Sequence, residues 1–332
     1  MRGMRKAAVP GAALALLLVL AVPAAALEAE ALVPVGSTVG IRLETGGVTV
    51  AGINDVQTEN GPVRPAEAAG LKSGDIITGI GGRATPGAAE FLTAVSEFDG
   101  SEVELTVLRG GSTVNFHVTP ARSTDGAYQL GVWLRDGVSG IGTVTFYDPA
   151  SGTYGALGHG ICDPDSGELV PFACGGLTAA SVVDVIRGAA GTPGELCGQF
   201  ESDCACGTVE KNTAAGIFGS GDFGGNSRAV PVAAEEETKL GPATILANVD
   251  GEAVEEFSVE ISRIYHGGDD HRFLMLTVTD GELLSRTGGI VQGMSGSPIL
   301  QDGKLVGAVT HVLISDPTRG YGISIQDMLD AA

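Results

Sequence analysis

Short runs of alternating apolar and polar residues, punctuated by glycine, dominate the chain and predict strands with one buried face. Val39-Gly40-Ile41-Arg42-Leu43 and Gly47 to Ile53 read as two strands joined by a turn at Glu44-Thr45-Gly46-Gly47. Pro65 to Gly70 predicts a short helix stopped by its glycine, Ser73-Gly74-Asp75 a turn, and the residues after it a buried strand. Phe91, Val95 and Phe98 recur at helical spacing; Val103, Leu105 and Val107, then Val114, Phe116 and Val118, alternate on either side of a Gly110-Gly111 turn. Arg122-Ser123-Thr124-Asp125-Gly126 is a polar hinge. Beyond it, Gln129 to Arg135, Gly142 to Tyr147 and Tyr154 to Leu157 predict short strands, with Asp148-Pro149-Ala150-Ser151-Gly152 as a turn. Phe273 to Thr279 and Leu305 to Thr310 are apolar strands near the end. The pattern predicts a mainly β chain with a first unit over 32–120 and a second over 121–332, behind an N-terminal segment over 1–31.

One turn stands out chemically. In Gly288-Gly289-Ile290-Val291-Gln292-Gly293-Met294-Ser295-Gly296-Ser297-Pro298, glycines flank a serine just ahead of the Leu305 to Thr310 strand. A serine hydroxyl attacks poorly at neutral pH unless a base takes its proton and donors receive the charge that forms on the attacked carbonyl. Glycine at 293 and 296 permits a tight turn that exposes Ser295 and aims the amides of Gly293 and Ser295 at one point, an oxyanion hole. The same composition also serves as a plain turn between strands. An α/β-hydrolase elbow fits less well, because Ser297 stands where its second glycine belongs. For the base, His159 lies between Gly158 and Gly160 at a strand end, and His311 lies just past the strand that follows Ser295. For the carboxylate that orients the base, Asp280 closes the Phe273 to Thr279 strand; Asp280-Gly281-Glu282 is equally a helix cap.

Composition narrows the setting. With 332 residues and 43% hydrophobic content the chain can fill two cores, and 52 glycines with 5% aromatics favour short strands and turns. A net charge of -21 argues against nucleic acid and anionic membrane as partners. Arg2, Arg5 and Lys6 precede an uncharged run from Ala7 to Leu27 with small residues at Pro23-Ala24-Ala25-Ala26, the pattern of an export signal, cleaved or kept as an anchor. Cys162, Cys174, Cys197, Cys204 and Cys206 fall in one segment, an odd number for disulfides. Zinc on Cys197, Cys204 and Cys206 is the alternative, at a spacing that fits no common zinc site. His266, Asp269, Asp270 and His271 form an acidic turn, most simply a solvated one. No metal or other cofactor is expected.

The element order with the block "PAEAAGLKSGDII" resembles a bacterial PDZ domain. The resemblance implies binding of an extended peptide or chain end as an added strand. It implies Val39, Gly40, Ile41, Arg42 and Leu43 as the loop that receives a terminal carboxylate. The chain's own Asp330-Ala331-Ala332 end is small enough to be tried as such a ligand.

The segments "FYDPASGTYGALGHG", "GTPGEL", "NTAAGIFG", "TDGELLSRTGGIVQGMSGSPIL" and "GYGISI" together resemble the sporulation stage IV peptidase B family. That resemblance implies a chymotrypsin-like double β-barrel serine endopeptidase after the PDZ domain, with His159, Asp280 and Ser295 as catalytic residues. It further implies an exported protease that cuts itself and a membrane-bound regulator of an intramembrane protease, leading to sigma factor activation during sporulation. Asp280 lies so near Ser295 in sequence that it falls in the nucleophile's half of the fold, where trypsin-like enzymes do not place it. Two other readings are an envelope quality-control PDZ protease, in which the PDZ domain usually follows the protease, and a non-catalytic PDZ scaffold.

Overall fold

The computed structural model describes residues 30–164, 167–225, 228–265 and 272–332, without the side chains of 201–204. Residues 1–29, which make up most of the export signal or anchor expected over 1–31, and the acidic turn expected from His266 to His271 lie outside the described residues.

The described residues start in the first of two barrels. Strand β1 (Ala31–Pro34) and β2 (Thr38–Glu44) bury Leu32, Val39, Ile41 and Leu43. The chain then leaves for a separate sheet. Here β3 (Val48–Ile53), α1 (Pro65–Ala68), β4 (Ile76–Ile80), α2 (Ala88–Ser96), β5 (Val103–Arg109), β6 (Ser112–Val118) and β7 (Val132–Arg135) enclose a core that includes Val50, Leu71, Ile77, Phe91, Leu105 and Leu130. The strand order is β7-β3-β4-β5-β6, so β7 is an outer strand. The buried carboxylate of Asp75 takes two 2.6 Å hydrogen bonds from Arg109 and one of 2.8 Å from the Lys72 amide, which fixes the Ser73-Gly74-Asp75 turn.

After Asp136 and Gly137 the chain returns to the first barrel through β8 (Val138–Asp148), β9 (Thr153–Ala156), β10 (Cys174–Ile186), β11 (Glu195–Thr213) and β12 (Gly216–Gly221). The order β9-β12-β11-β10-β2-β8 closes on itself through β8 and β9, with β1 added beside β8. The second barrel is also closed: β13 (Gly241–Asp250), β14 (Ala253–Ile264), β15 (Leu274–Val278), β16 (Pro298–Gln301), β17 (Lys304–Leu313) and β18 (Asp316–Ser324). Helix α3 (Gly281–Thr287) lies between β15 and β16, and α4 (Ile325–Ala331) ends the chain. Closure leaves neither ring with an open edge. The expected mainly β architecture, with a PDZ unit and a double barrel, is what the chain adopts.

Three expectations change. The PDZ unit does not begin at residue 32, because β2 pairs with β8 (Ile41 opposite Gly140) and with β10 (Ile41 opposite Leu177). Val39 to Leu43 therefore have both backbone edges engaged and cannot take in a peptide strand. Conversely, Val132 to Arg135 belong to the PDZ sheet and not to the peptidase unit, since β7 bonds to β3. The PDZ unit is thus an insertion between β2 and β8. Third, the Asp330-Ala331-Ala332 end is committed elsewhere. Helix α4 buries Ile325, Met328 and Leu329, and Lys211 Nζ donates to the carbonyls of Ala331 and Ala332.

The inserted unit also touches the barrel through a side chain. Arg135, the last residue of β7, forms a 3.1 Å ion pair with Asp163, in the loop that follows His159. Cys162, Cys174 and Cys197 carry free thiols, and the Cys204 side chain lies outside the described residues.

Candidate active site

The serine turn is clamped from both barrels. The Ser295 carbonyl accepts from the Thr143 amide at 2.9 Å and the Gly293 carbonyl from Thr143 Oγ1 at 2.8 Å, both on β8. From β17, the Val309 carbonyl accepts from the Gly296 amide at 2.7 Å, and the Val309 amide donates back to the Ser297 carbonyl at 2.9 Å. Buried Met294 anchors the turn from below. On its outer flank, Gln292 exchanges backbone hydrogen bonds with Gly194 and Leu196. The amides of Gly293 and Ser295 donate to no acceptor among the described residues, so two neighbouring N–H groups remain available to an anionic oxygen. The Ser295 hydroxyl rests on the Thr310 carbonyl at 2.6 Å.

His159 reaches the same cleft from the first barrel. After β9 the backbone turns through Leu157 at φ 70° and Gly158 at φ 69°, a left-handed pair that costs a leucine energy. The Leu157 amide donates to the Thr143 carbonyl at 3.1 Å, so the residue that holds the serine turn also holds the histidine turn. A side chain at 158 would come within 3.0 Å of Ile323 and Thr310, which is why glycine sits where the barrels meet. The Gly160 carbonyl lies 2.9 Å from His159 Nδ1. A carbonyl only accepts, so Nδ1 carries the hydrogen and Nε2 keeps its lone pair, the tautomer a general base requires. Burial pushes the His159 pKa down, which keeps the ring neutral at neutral pH.

His159, Ser295, Gly293 and His311 all line one cleft of about 480 Å³ between the barrels. The ring of His311 packs against that of His159 with centroids 4.9 Å apart and planes tilted by 37°. Its pKa is also lowered, by burial first and then by His159 and Arg272. The two histidines that compete for the base role in the sequence are therefore neighbours, and His159 is the one whose tautomer is fixed by a hydrogen bond.

Asp280 is elsewhere. Its Oδ1 accepts from the amides of Glu282 (2.9 Å) and Leu283 (3.1 Å) at the start of α3, and its Oδ2 from the Ser258 amide (3.2 Å). These bonds, the Leu283 amide first, hold its carboxyl below the usual aspartate range. It does not line the cleft, and the place beside His159 Nδ1 belongs to the Gly160 carbonyl. The cap reading of Asp280-Gly281-Glu282 describes the structure, and the orienting role does not. Asp280→Ala is accordingly expected to cost about 0.5–2 kcal/mol in urea unfolding. It should change kcat less than roughly tenfold, whereas losing a triad aspartate costs about 10⁴.

Thr143 and the Thr310 carbonyl gave no signal in the sequence. One is a small polar residue inside an alternating strand, and a backbone carbonyl has no residue-type signature.

Comparison with known proteins identifies the two kinds of unit in the chain. The PDZ domain model matches residues 38–119 and the SpoIVB peptidase S55 model matches residues 126–329, well over half of the chain. A stretch of 59 residues is 39% identical to serine protease HTRA1 of Xenopus tropicalis, spanning 18% of this chain and 13% of that protein. Among solved structures, the PDZ domain of an SdrC-like protein from Listeria monocytogenes is 25% identical over 27% of this chain and 87% of its own, with a TM-score of 0.22. The Rv3671c protease of M. tuberculosis in its inactive form is 14% identical over 57% of this chain and 82% of its own, with a TM-score of 0.35. The extent of the peptidase match settles the relationship: the chain belongs to the SpoIVB peptidase S55 family and is a serine peptidase with a PDZ domain.

Proposed function

We propose that Ser295 and His159 carry out endoproteolysis by acyl transfer, as a pair without an aspartate. The observation that supports this most directly is their convergence on one cleft beside two unengaged amides. The Ser295 hydroxyl turns from the Thr310 carbonyl to His159 Nε2, gives up its proton and attacks a peptide carbonyl. The amides of Gly293 and Ser295 hold the resulting oxyanion. Collapse breaks the C–N bond, His159 returns the proton to the leaving amine, and water repeats the sequence to free the acyl group. The Gly160 carbonyl keeps the imidazole in its working tautomer.

The substrate is a protein, and the PDZ unit recruits or senses one through an extended segment. Its receiving edge is β7, whose free side runs past half-buried Val132 and Leu134, with Ala88 and Val95 of α2 on the same core. Family membership and the export pattern over residues 2–27 support a signalling role outside the cytoplasmic membrane. There the enzyme cuts itself and a membrane-bound regulator of an intramembrane protease, which leads to sigma factor activation during sporulation. The order of the units and the inserted PDZ sheet favour this over general quality control.

The test is to treat the exported protein with a fluorophosphonate probe and sequence the N-termini of all fragments. Probe on Ser295, together with fragments that disappear in Ser295→Ala, is the expected outcome. A folded protein that takes no probe would refute the assignment.

A further inference from the structure

The cleft is more specific about its occupant than the nucleophile alone requires. Among the described residues its lining contains no aspartate, glutamate, lysine or arginine side chain. The polar side chains among the described lining residues are those of Ser295, His159, His311 and Cys162, and of the small or neutral residues Ser139, Gln292 and Thr310. Apolar residues make the walls. Ile290 and Val291 precede the serine turn, Val312 and Ile314 continue the strand behind it, and Ile141 faces them from the first barrel. Ile290 and Val291 are almost wholly buried, so this wall is rigid, while Ile314 is exposed at the mouth.

Geometry decides which substrate residue meets that wall. With its carbonyl oxygen on the amides of Gly293 and Ser295 and its carbon against Ser295 Oγ, the acylating residue is confined between the Ile290 to Gln292 run and the strand behind Thr310. An apolar side chain there exchanges water for the accessible apolar surface of Ile141, Pro193, Val312 and Ile314. A charged one loses its hydration, and none of the described lining residues offers it a carboxylate, ammonium or guanidinium. We infer that the peptidase selects an apolar, uncharged side chain in the residue that supplies the attacked carbonyl. This rests on Ser295 as the nucleophile and goes further by naming the substrate class.

The full chain is incubated with a proteome-derived peptide library and the cut sites are read by mass spectrometry, with fluorophosphonate labelling of Ser295 in parallel. Apolar residues are expected on the acyl side about tenfold or more above Asp, Glu, Lys and Arg, since single missing contacts in such pockets are worth about 10–200-fold. Ile314→Asp, at an exposed position that leaves the core untouched, is expected to raise the share of Lys and Arg at that position about tenfold. Charged residues equal to or above apolar ones in the wild type, with Ser295 labelled, would overturn the specificity and leave the nucleophile standing. Absence of label would overturn both.

Discussion

Ser295→Ala and His159→Ala each lower kcat by roughly 10⁴–10⁶-fold, and the double variant is no slower than the worse single. The two side chains act on one proton, so removing either leaves the other with nothing to do. His159 is suited to this because burial keeps it neutral and the Gly160 carbonyl fixes the hydrogen on Nδ1. The effect is read from initial rates on a peptide substrate, with thermal unfolding showing that each variant is folded. Multiplying losses in the double variant would mean that the residues work in separate steps, against the assignment.

Gly296→Ala disables the enzyme by a different route. Gly296 has φ 98°, and a Cβ there would lie 2.0 Å from the Thr143 carbonyl oxygen and 2.6 Å from the Leu157 amide nitrogen. Both are backbone atoms of the first barrel, so neither can rotate aside. The backbone conformation and the overpacking together are expected to cost roughly 2–5 kcal/mol in urea unfolding. Activity should fall by about 10³-fold or more, since withdrawal of the turn also misplaces the Ser295 amide. The matched control is Gly281→Ala, at an open position with nothing within 4 Å, which should leave activity unchanged. An active Gly296→Ala protein would show that the barrels are less tightly joined at this point than the structure indicates.

Much of the site could be read before the fold was seen, for reasons that are local. Flanking glycines marked Ser295 and His159 because close backbone approach is encoded in residue type. Asp280 carried two signals at once, and the cap prevailed because the amides of Glu282 and Leu283 are only two and three residues away. A distant imidazole cannot compete with contacts that helix formation brings without any further folding. Strand partners were not legible in the same way. The alternation over Val39 to Leu43 says that one face is buried, yet not which neighbours bury it. That β2 belongs beside β8 and β10 depends on pairings more than ninety positions away. The hand-over of Val132 to Arg135 to the PDZ sheet was hidden for the same reason.

The PDZ sheet is moored at both ends. It departs through the few residues after Glu44 and comes back through Asp136 and Gly137, so β7 runs almost without slack into Val138 and Ile141 of the cleft wall. A unit on a single tether can swing without consequence for its neighbour. This one is spliced into a barrel by two short joints, and its outer strand continues directly into the stave that carries Thr143.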